Sequence, residues 1–129
     1  DWLTLFGNVT YTDSEVTENK AKPQTEGKRL TQMPLWMTNL GARVVKGPLS
    51  LSLEEHYVGK RYSDDTNADK KDNVYGSYDP YWVTNLAVSY QITPWAKMSL
   101  FVENLFDEDY YTYYKAPGRS WFAQLTLKF

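Results

Sequence analysis

Apolar residues recur at every second position in six separate stretches of this chain, and that period belongs to strands with one greasy face, not to helices. Leu3, Leu5, Gly7, Val9 and Tyr11 form the first set. Trp36, Leu40, Ala42 and Val44 form the second, with Met37, Asn39, Gly41 and Arg43 opposite. Leu49, Leu51, Leu53 and Tyr57 are opposed by Ser50, Ser52, Glu54 and His56. Trp82, Leu86, Val88, Tyr90 and Ile92 face away from Asn85, Ser89 and Gln91. Met98, Leu100 and Val102 oppose Lys97, Ser99 and Glu103, and the last stretch alternates through Trp121, Ala123, Leu125, Leu127 and Phe129.

The connections alternate as well. "VKGP" at 45–48 and "TPWA" at 93–96 are short and carry the Pro of a tight turn. The segments near 13–33, 61–80 and 107–117 are long and polar. Short turns at one end and long loops at the other are the plan of an outer-membrane barrel. Each segment is expected to reach the roughly 9–11 residues that cross a bilayer at about 45° tilt. Aromatics make up 16% of the chain, which suits two interfacial girdles. Trp2, Tyr11, Trp36, Tyr57, Trp82, Trp95, Tyr110, Trp121 and Phe129 sit near strand ends, where girdles are placed. The alternation also admits a soluble antiparallel domain with one buried face.

Glu55 is the exception, a carboxylate on the apolar side of the third stretch, which a bulge at Glu54 and Glu55 would re-aim. No run of eighteen apolar residues offers a transmembrane helix. No signal peptide is visible, and residue 1 reads as already inside a strand, so the chain is expected to be a piece of a longer one. A net charge of -2 gives no general pull towards nucleic acid.

Little in the chain speaks for catalysis. It has one His, no Cys, no G-x-S-x-G and no phosphate-binding glycine loop. No catalytic residue, cofactor or metal site is therefore expected. Glu54 and His56 share a face but lack a third ligand. The segment 65–76 starts like a calcium loop at Asp65, Asn67 and Asp69, then places Lys70 where Gly is needed and Gly76 where Glu is needed. "YYTYYK" (110–115) offers Tyr113 and Tyr114 for stacking on a ligand. Lys60, Arg61 and Arg119 could attract an anion unless Asp64 and Asp65 neutralise them.

"FVENLFDEDYYTYYKAPGRSWFAQLTLKF" resembles the C-terminal end of TonB-dependent outer-membrane receptors. The residues that carry it are Asn104, Leu105, Phe106, Asp107 and Tyr110, then Pro117, Gly118 and Arg119, and the closing Phe129. "YVGKRYSDD" and "YDPYWVTNLAVSYQIT" resemble upstream strands of that family in the same order. The resemblance implies an all-β, up-and-down antiparallel fold, the last six or so strands of a 22-stranded transmembrane barrel in the bacterial outer membrane. It implies a parent that takes up a scarce ligand, foremost a ferric siderophore or another metal chelate, driven by TonB with ExbB and ExbD. Arg43, Glu54, His56 and Glu103 would line the wet lumen. Trp121, Leu125, Leu127 and Phe129 would be read by the outer-membrane assembly machinery, and lipid with lipopolysaccharide would surround the outer face. A soluble aromatic-rich carbohydrate-binding module and a porin-like or adhesin barrel are the alternatives.

Overall fold

The computed structural model describes residues 2–68 and 71–129. Asp69 and Lys70, the middle of the calcium-like segment, lie outside the described residues. The strands are β1 (Leu3–Tyr11), β2 (Trp36–Lys46), β3 (Leu49–Val58), β4 (Tyr81–Thr93), β5 (Ala96–Glu103), β6 (Tyr111–Thr112), β7 (Tyr114–Lys115) and β8 (Ser120–Leu127). Six of them form one sheet in the order β1-β2-β3-β4-β5-β8, and every neighbouring pair is antiparallel. β6 and β7 make a small hairpin of their own. Gly47 and Pro48 turn β2 into β3, and Pro94 and Trp95 turn β4 into β5. The loops at 12–35, 59–80 and 104–119 leave the opposite end.

Register carries the alternation across the sheet. Leu5, Ala42, Leu53, Leu86, Val102 and Trp121 are successive cross-strand partners and share one face. The row Leu3, Val44, Leu51, Val88, Leu100 and Ala123 lies beside it. On the other face Arg43, Ser52, Ala87, Phe101 and Phe122 make the matching row. Among the described residues the buried hydrophobic side chains are Val83, Ala96 and Val102, whereas Leu5 is 72% exposed and Trp121 61%. A soluble sandwich hides its apolar rows in a core. In this sheet they stand exposed or half-exposed, Val102 excepted.

Two glycines let large neighbours lie flat. Phe6 is opposite Gly41, and a Cβ there would stand 2.2 Å from the Phe6 ring. One step along, on the other face, a Cβ on Gly7 would stand 2.7 Å from Leu40 Cδ2. Each glycine thus supplies the floor on which the opposite side chain rests.

Three expectations are corrected. No bulge occurs at Glu55, because Leu53↔Leu86, Glu54↔Asn85, Glu55↔Thr84 and His56↔Val83 run without a break. Glu55 stays on the apolar face and is satisfied there by hydrogen bonds donated by Trp82 Nε1 and by Thr84 Oγ1, the latter at 2.8 Å. β5 and β8 have eight residues each, one short of the expected minimum. The ladder stops because Asn104 takes φ 52° and its amide donates to Asn85 Oδ1 at 3.0 Å, not to β8. Tyr110 does not join the apolar girdle. It stacks on Tyr81, a polar-face residue, with centroids 4.2 Å apart. The girdle itself is visible at the loop end as the pairs Tyr11–Trp36 and Tyr57–Trp82, at 4.7 and 5.5 Å.

Candidate functional site

The three long loops are fastened to one another at the end of the sheet they share. Asn67 in the second loop clasps Arg29 in the first, accepting from its N–H at 2.7 Å and donating to its carbonyl at 2.9 Å. Lys22 Nζ pairs with Asp65 at 2.9 Å, and the Gln32 amide donates to the Tyr62 carbonyl at 2.9 Å. Asp64 closes the turn that presents Asn67, accepting from the Thr66 amide at 2.8 Å and from Thr66 Oγ1 at 2.5 Å. The Thr66 hydroxyl, then its amide, holds the Asp64 carboxyl below its ordinary pKa of 3.8.

The second and third loops meet at a buried carboxylate. Asp79 is 2% exposed and accepts from Ser77 Oγ at 2.7 Å, the Tyr111 amide at 2.7 Å and the Asn73 amide at 3.1 Å. Tyr113, the single residue between β6 and β7, has φ 79°. A bulky residue pays roughly 1–3 kcal/mol for such a backbone. Both sides of it are held, since its amide donates to the Ser77 carbonyl and its carbonyl accepts from the Gly76 amide, each at 2.7 Å. Hydrogen bonds to Tyr113 and Tyr114 push the Tyr75 phenol up to about 12, so it stays neutral at ordinary pH.

The residues from 104 to 119 form one hydrogen-bonded base for the third loop. Asn104 Oδ1 accepts from the Glu108 amide at 2.8 Å and Asn104 Nδ2 donates to the Glu108 carbonyl at 2.9 Å. Asp107, at φ 59°, accepts from the Arg119 amide at 2.7 Å, and Arg119 Nη1 donates to the Leu105 carbonyl at 3.2 Å. A Cβ on Gly118 would sit 2.9 Å from Asp107 Oδ1, which accounts for glycine there. Phe106 is exposed, and Pro117 lines a concavity of about 400 Å³ with Tyr110, Tyr81, His56 and Asn39. The N-L-F-D and P-G-R stretches are therefore two halves of one clasp, and Asn104, Pro117 and Gly118 border the concavity beside it.

Arg43, Glu54, His56 and Glu103 all stand on the polar face. Arg43 Nε reaches Ser50 Oγ at 3.4 Å, and His56 Nε2 lies 3.9 Å from Glu54 with Asn39 Oδ1 at 2.6 Å from Nδ1. Glu103 accepts from Ser120 Oγ at 3.1 Å. Glu54 and Glu103 border a second concavity, of about 650 Å³, whose floor carries the Phe101–Phe122 pair. Trp121, Leu125 and Leu127 project from the apolar face of the edge strand β8, and Phe129 stands fully exposed beyond its end.

The five ligand candidates are engaged in different ways. Lys60 is taken by Asp72. Arg61 lies over the rings of Tyr78 and Tyr81 at 5.2 and 5.8 Å, and its Nε and Nη2 are buried with no hydrogen-bond acceptor. Among the described residues no ion pair joins it to Asp64 or Asp65, which bind Thr66 and Lys22. Arg119 is drawn to the loop base and the Trp121 ring. Tyr113 and Tyr114 meet edge to face at 5.1 Å and are packed against Tyr75. Sequence reasoning missed Asp79 and the fastening roles of Asn67 and Asn85, which come from partners 32, 38 and 19 positions away.

Residues 1–105 match the family described as TonB dependent receptor-like, beta-barrel. A vitamin B12 transporter, BtuB of Vibrio vulnificus, is 32% identical over 68 residues, which cover 47% of this chain and 11% of that protein. Its counterpart in Vibrio cholerae is 29% identical over 112 residues, 85% of this chain and 18% of that one. Among solved structures, the siderophore receptor PiuA from Acinetobacter baumannii superposes with a TM-score of 0.85 at 23% identity, over 100% of this chain and 20% of its own. The ferric citrate transporter FecA, unliganded, gives 0.82 at 22% identity, over 100% and 21%. The chain thus spans about a fifth or less of these relatives' length.

Proposed function

The chain belongs to the TonB-dependent receptor family, as part of its β-barrel, and from that membership we propose that its parent imports a scarce ligand, foremost a ferric siderophore, across the bacterial outer membrane. Residues 1–129 are the C-terminal segment of the barrel, with the plug and remaining strands supplied elsewhere in the parent. The observation that carries the reading is the single sheet with an outward apolar face, a polar face, and long loops at one end only. In lipid every backbone donor needs an internal partner, so the free edges of β1 and β8 call for further strands that close a barrel.

In that frame the apolar face meets lipid and, at its loop end, lipopolysaccharide. Arg43, Glu54, His56 and Glu103 line the lumen. β8 with Trp121, Leu125, Leu127 and Phe129 is what the assembly machinery engages, by strand addition at the open edge. Energy comes from TonB with ExbB and ExbD, acting on the parent. A corrinoid is the second reading, favoured by the two vitamin B12 transporters among the relatives.

The test is uptake by cells carrying the parent gene, with ferric siderophores and cyanocobalamin offered in turn. Uptake of one of them that stops when TonB is deleted or the proton gradient is collapsed is the expected result. Uptake that continues without TonB would contradict the proposal and favour a porin-like barrel.

A further inference from the structure

The loop end of the sheet consists of two bodies that meet along a narrow seam. One body is the first loop by itself. Its limbs pair through the Glu15↔Arg29 bridge, with the Val16 amide donating to the Lys28 carbonyl and the Gly27 amide to the Val16 carbonyl, each at 2.9 Å. Thr25 is buried at its turn, where Asn19 Nδ2 donates to Thr25 Oγ1 at 3.1 Å. The first loop therefore holds its own shape.

The other body joins the second and third loops. Residues 76–79 lie along Tyr111, Thr112 and Tyr113 as an added antiparallel strand, with Tyr78 and Thr112 as the bridge pair. The Gly76 amide donates to the Tyr113 carbonyl and the Tyr113 amide to the Ser77 carbonyl, both at 2.7 Å, and the Asp79 amide donates to the Tyr111 carbonyl at 2.9 Å. The Asp79 carboxylate accepts in turn from the Tyr111 amide at 2.7 Å, and Ser77 and Asp79 are buried. Buried main-chain bonds of this kind part only when the whole unit opens.

The seam is of a different kind. Among the described residues, three polar links cross from the first loop to the second: Lys22 to Asp65, Asn67 to the amide and carbonyl of Arg29, and the Gln32 amide to the Tyr62 carbonyl. The Lys22 and Asp65 side chains are 58% and 49% exposed, so water and salt compete for that pair. Gln32, where the first loop returns towards β2, has a left-handed backbone at φ 61°. Such a conformation persists only while its surroundings impose it. Parting the seam releases the Gln32 amide and lets that backbone relax, which favours opening there. Tyr113 is left-handed as well, but the main-chain bonds of the second body hold it on both sides.

We propose that the first loop is a preformed flap that swings as one piece, latched to the second loop by Lys22–Asp65 and Asn67–Arg29, while the second and third loops form a fixed wall. Opening then runs along one seam and breaks nothing inside either body. The inference uses the contacts between the loops and not the identity of an imported ligand. Its failure leaves the import reading untouched, which TonB-dependent uptake alone decides.

The test is hydrogen exchange in the full-length parent in detergent, with protection taken relative to an unstructured chain at the same pH. Gln32 reports the seam, Val16 and Gly27 the flap, and Tyr113 and Asp79 the wall. In the wild type Gln32 is expected to be protected about 10-fold or more weakly than Tyr113. Raising salt to about 1 M should lower protection at Gln32 and leave Tyr113 within about 2-fold. Asn67→Gly keeps the backbone at φ 55° and removes the side-chain clasp. It should lower protection at Gln32 about 5-fold or more, and Lys22→Gln about 2-fold. Val16, Gly27, Tyr113 and Asp79 should stay within about 2-fold in both variants, whose folding is checked by heat-modifiable gel mobility. Equal protection of Gln32 and Tyr113 in the wild type, or Tyr113 falling in step with Gln32, would make the three loops one body and overturn the flap. Val16 falling with Gln32 would mean that the first loop melts instead of swinging, and Gln32 unmoved by both variants would mean that these links are no latch. Either result overturns the proposal as well.

Discussion

The two faces of the sheet are built from the same six strands, yet they satisfy their side chains in opposite ways. The apolar face carries rows such as Leu5, Ala42, Leu53, Leu86, Val102 and Trp121, with Glu55 as its one carboxylate. That carboxylate is disarmed within the sheet by Trp82 and Thr84. The polar face instead uses short cross-strand bonds, as between Asn39 and Asn8 at 3.0 Å and Ser89 and Ser99 at 2.8 Å. One face suits an apolar surrounding and the other a wet one, which is the division a membrane barrel wall supplies.

The contrast is broken most strongly by a charge. Leu53→Arg is expected to destabilise the parent barrel by about 2–4 kcal/mol, whereas Ser52→Arg, its neighbour on the other face, should cost about 1 kcal/mol or less. Urea unfolding of the parent in lipid vesicles measures both. Equal costs would mean that the faces see the same medium. Next in size is Gly41→Val, whose Cβ meets the Phe6 ring on the polar face; overpacking there should cost about 1–3 kcal/mol by the same measurement.

Glu55→Ala sharpens the account of the apolar face. It strips Trp82 Nε1 and Thr84 Oγ1 of their acceptor and should cost about 1 kcal/mol. Were Glu55 an unpaired charge in lipid, the same change would stabilise the barrel. The smallest effect lies in the loops. Asp64 has a depressed folded pKa, so its contribution is complete above the ordinary value of 3.8 and is lost as pH falls through the lower folded value. Protection of the Thr66 and Asn67 amides against exchange, relative to an unstructured chain at the same pH, should fall only in that acid range, and Asp64→Asn should remove the dependence.

How far the sequence discloses this depends on the range of the interaction. Alternation is local, so the strands and the division into faces follow from reading Leu49 to Tyr57 or Trp82 to Tyr90 by twos, whereas the up-and-down order follows from the resemblance. The two tight turns follow from Gly47–Pro48 and Pro94–Trp95. The clasp of Asp107 with Arg119 was legible only as a resemblance, because its hydrogen bond spans twelve positions and has no period to mark it. Tyr110 was misplaced for a related reason: being close to a strand end in sequence does not say onto which face a loop folds back. Glu55 broke the pattern without a bulge because its donors, Trp82 and Thr84, lie on the neighbouring strand.

The most direct test of the central claim places an environment-sensitive fluorophore at a cysteine replacing Leu53 or Ser52 in the parent, reconstituted into vesicles. The account predicts that brominated lipid quenches the label at 53 while aqueous iodide does not, and that the label at 52 behaves the other way round. Labels at both positions reached by iodide and untouched by brominated lipid would contradict a sheet with one face in the membrane.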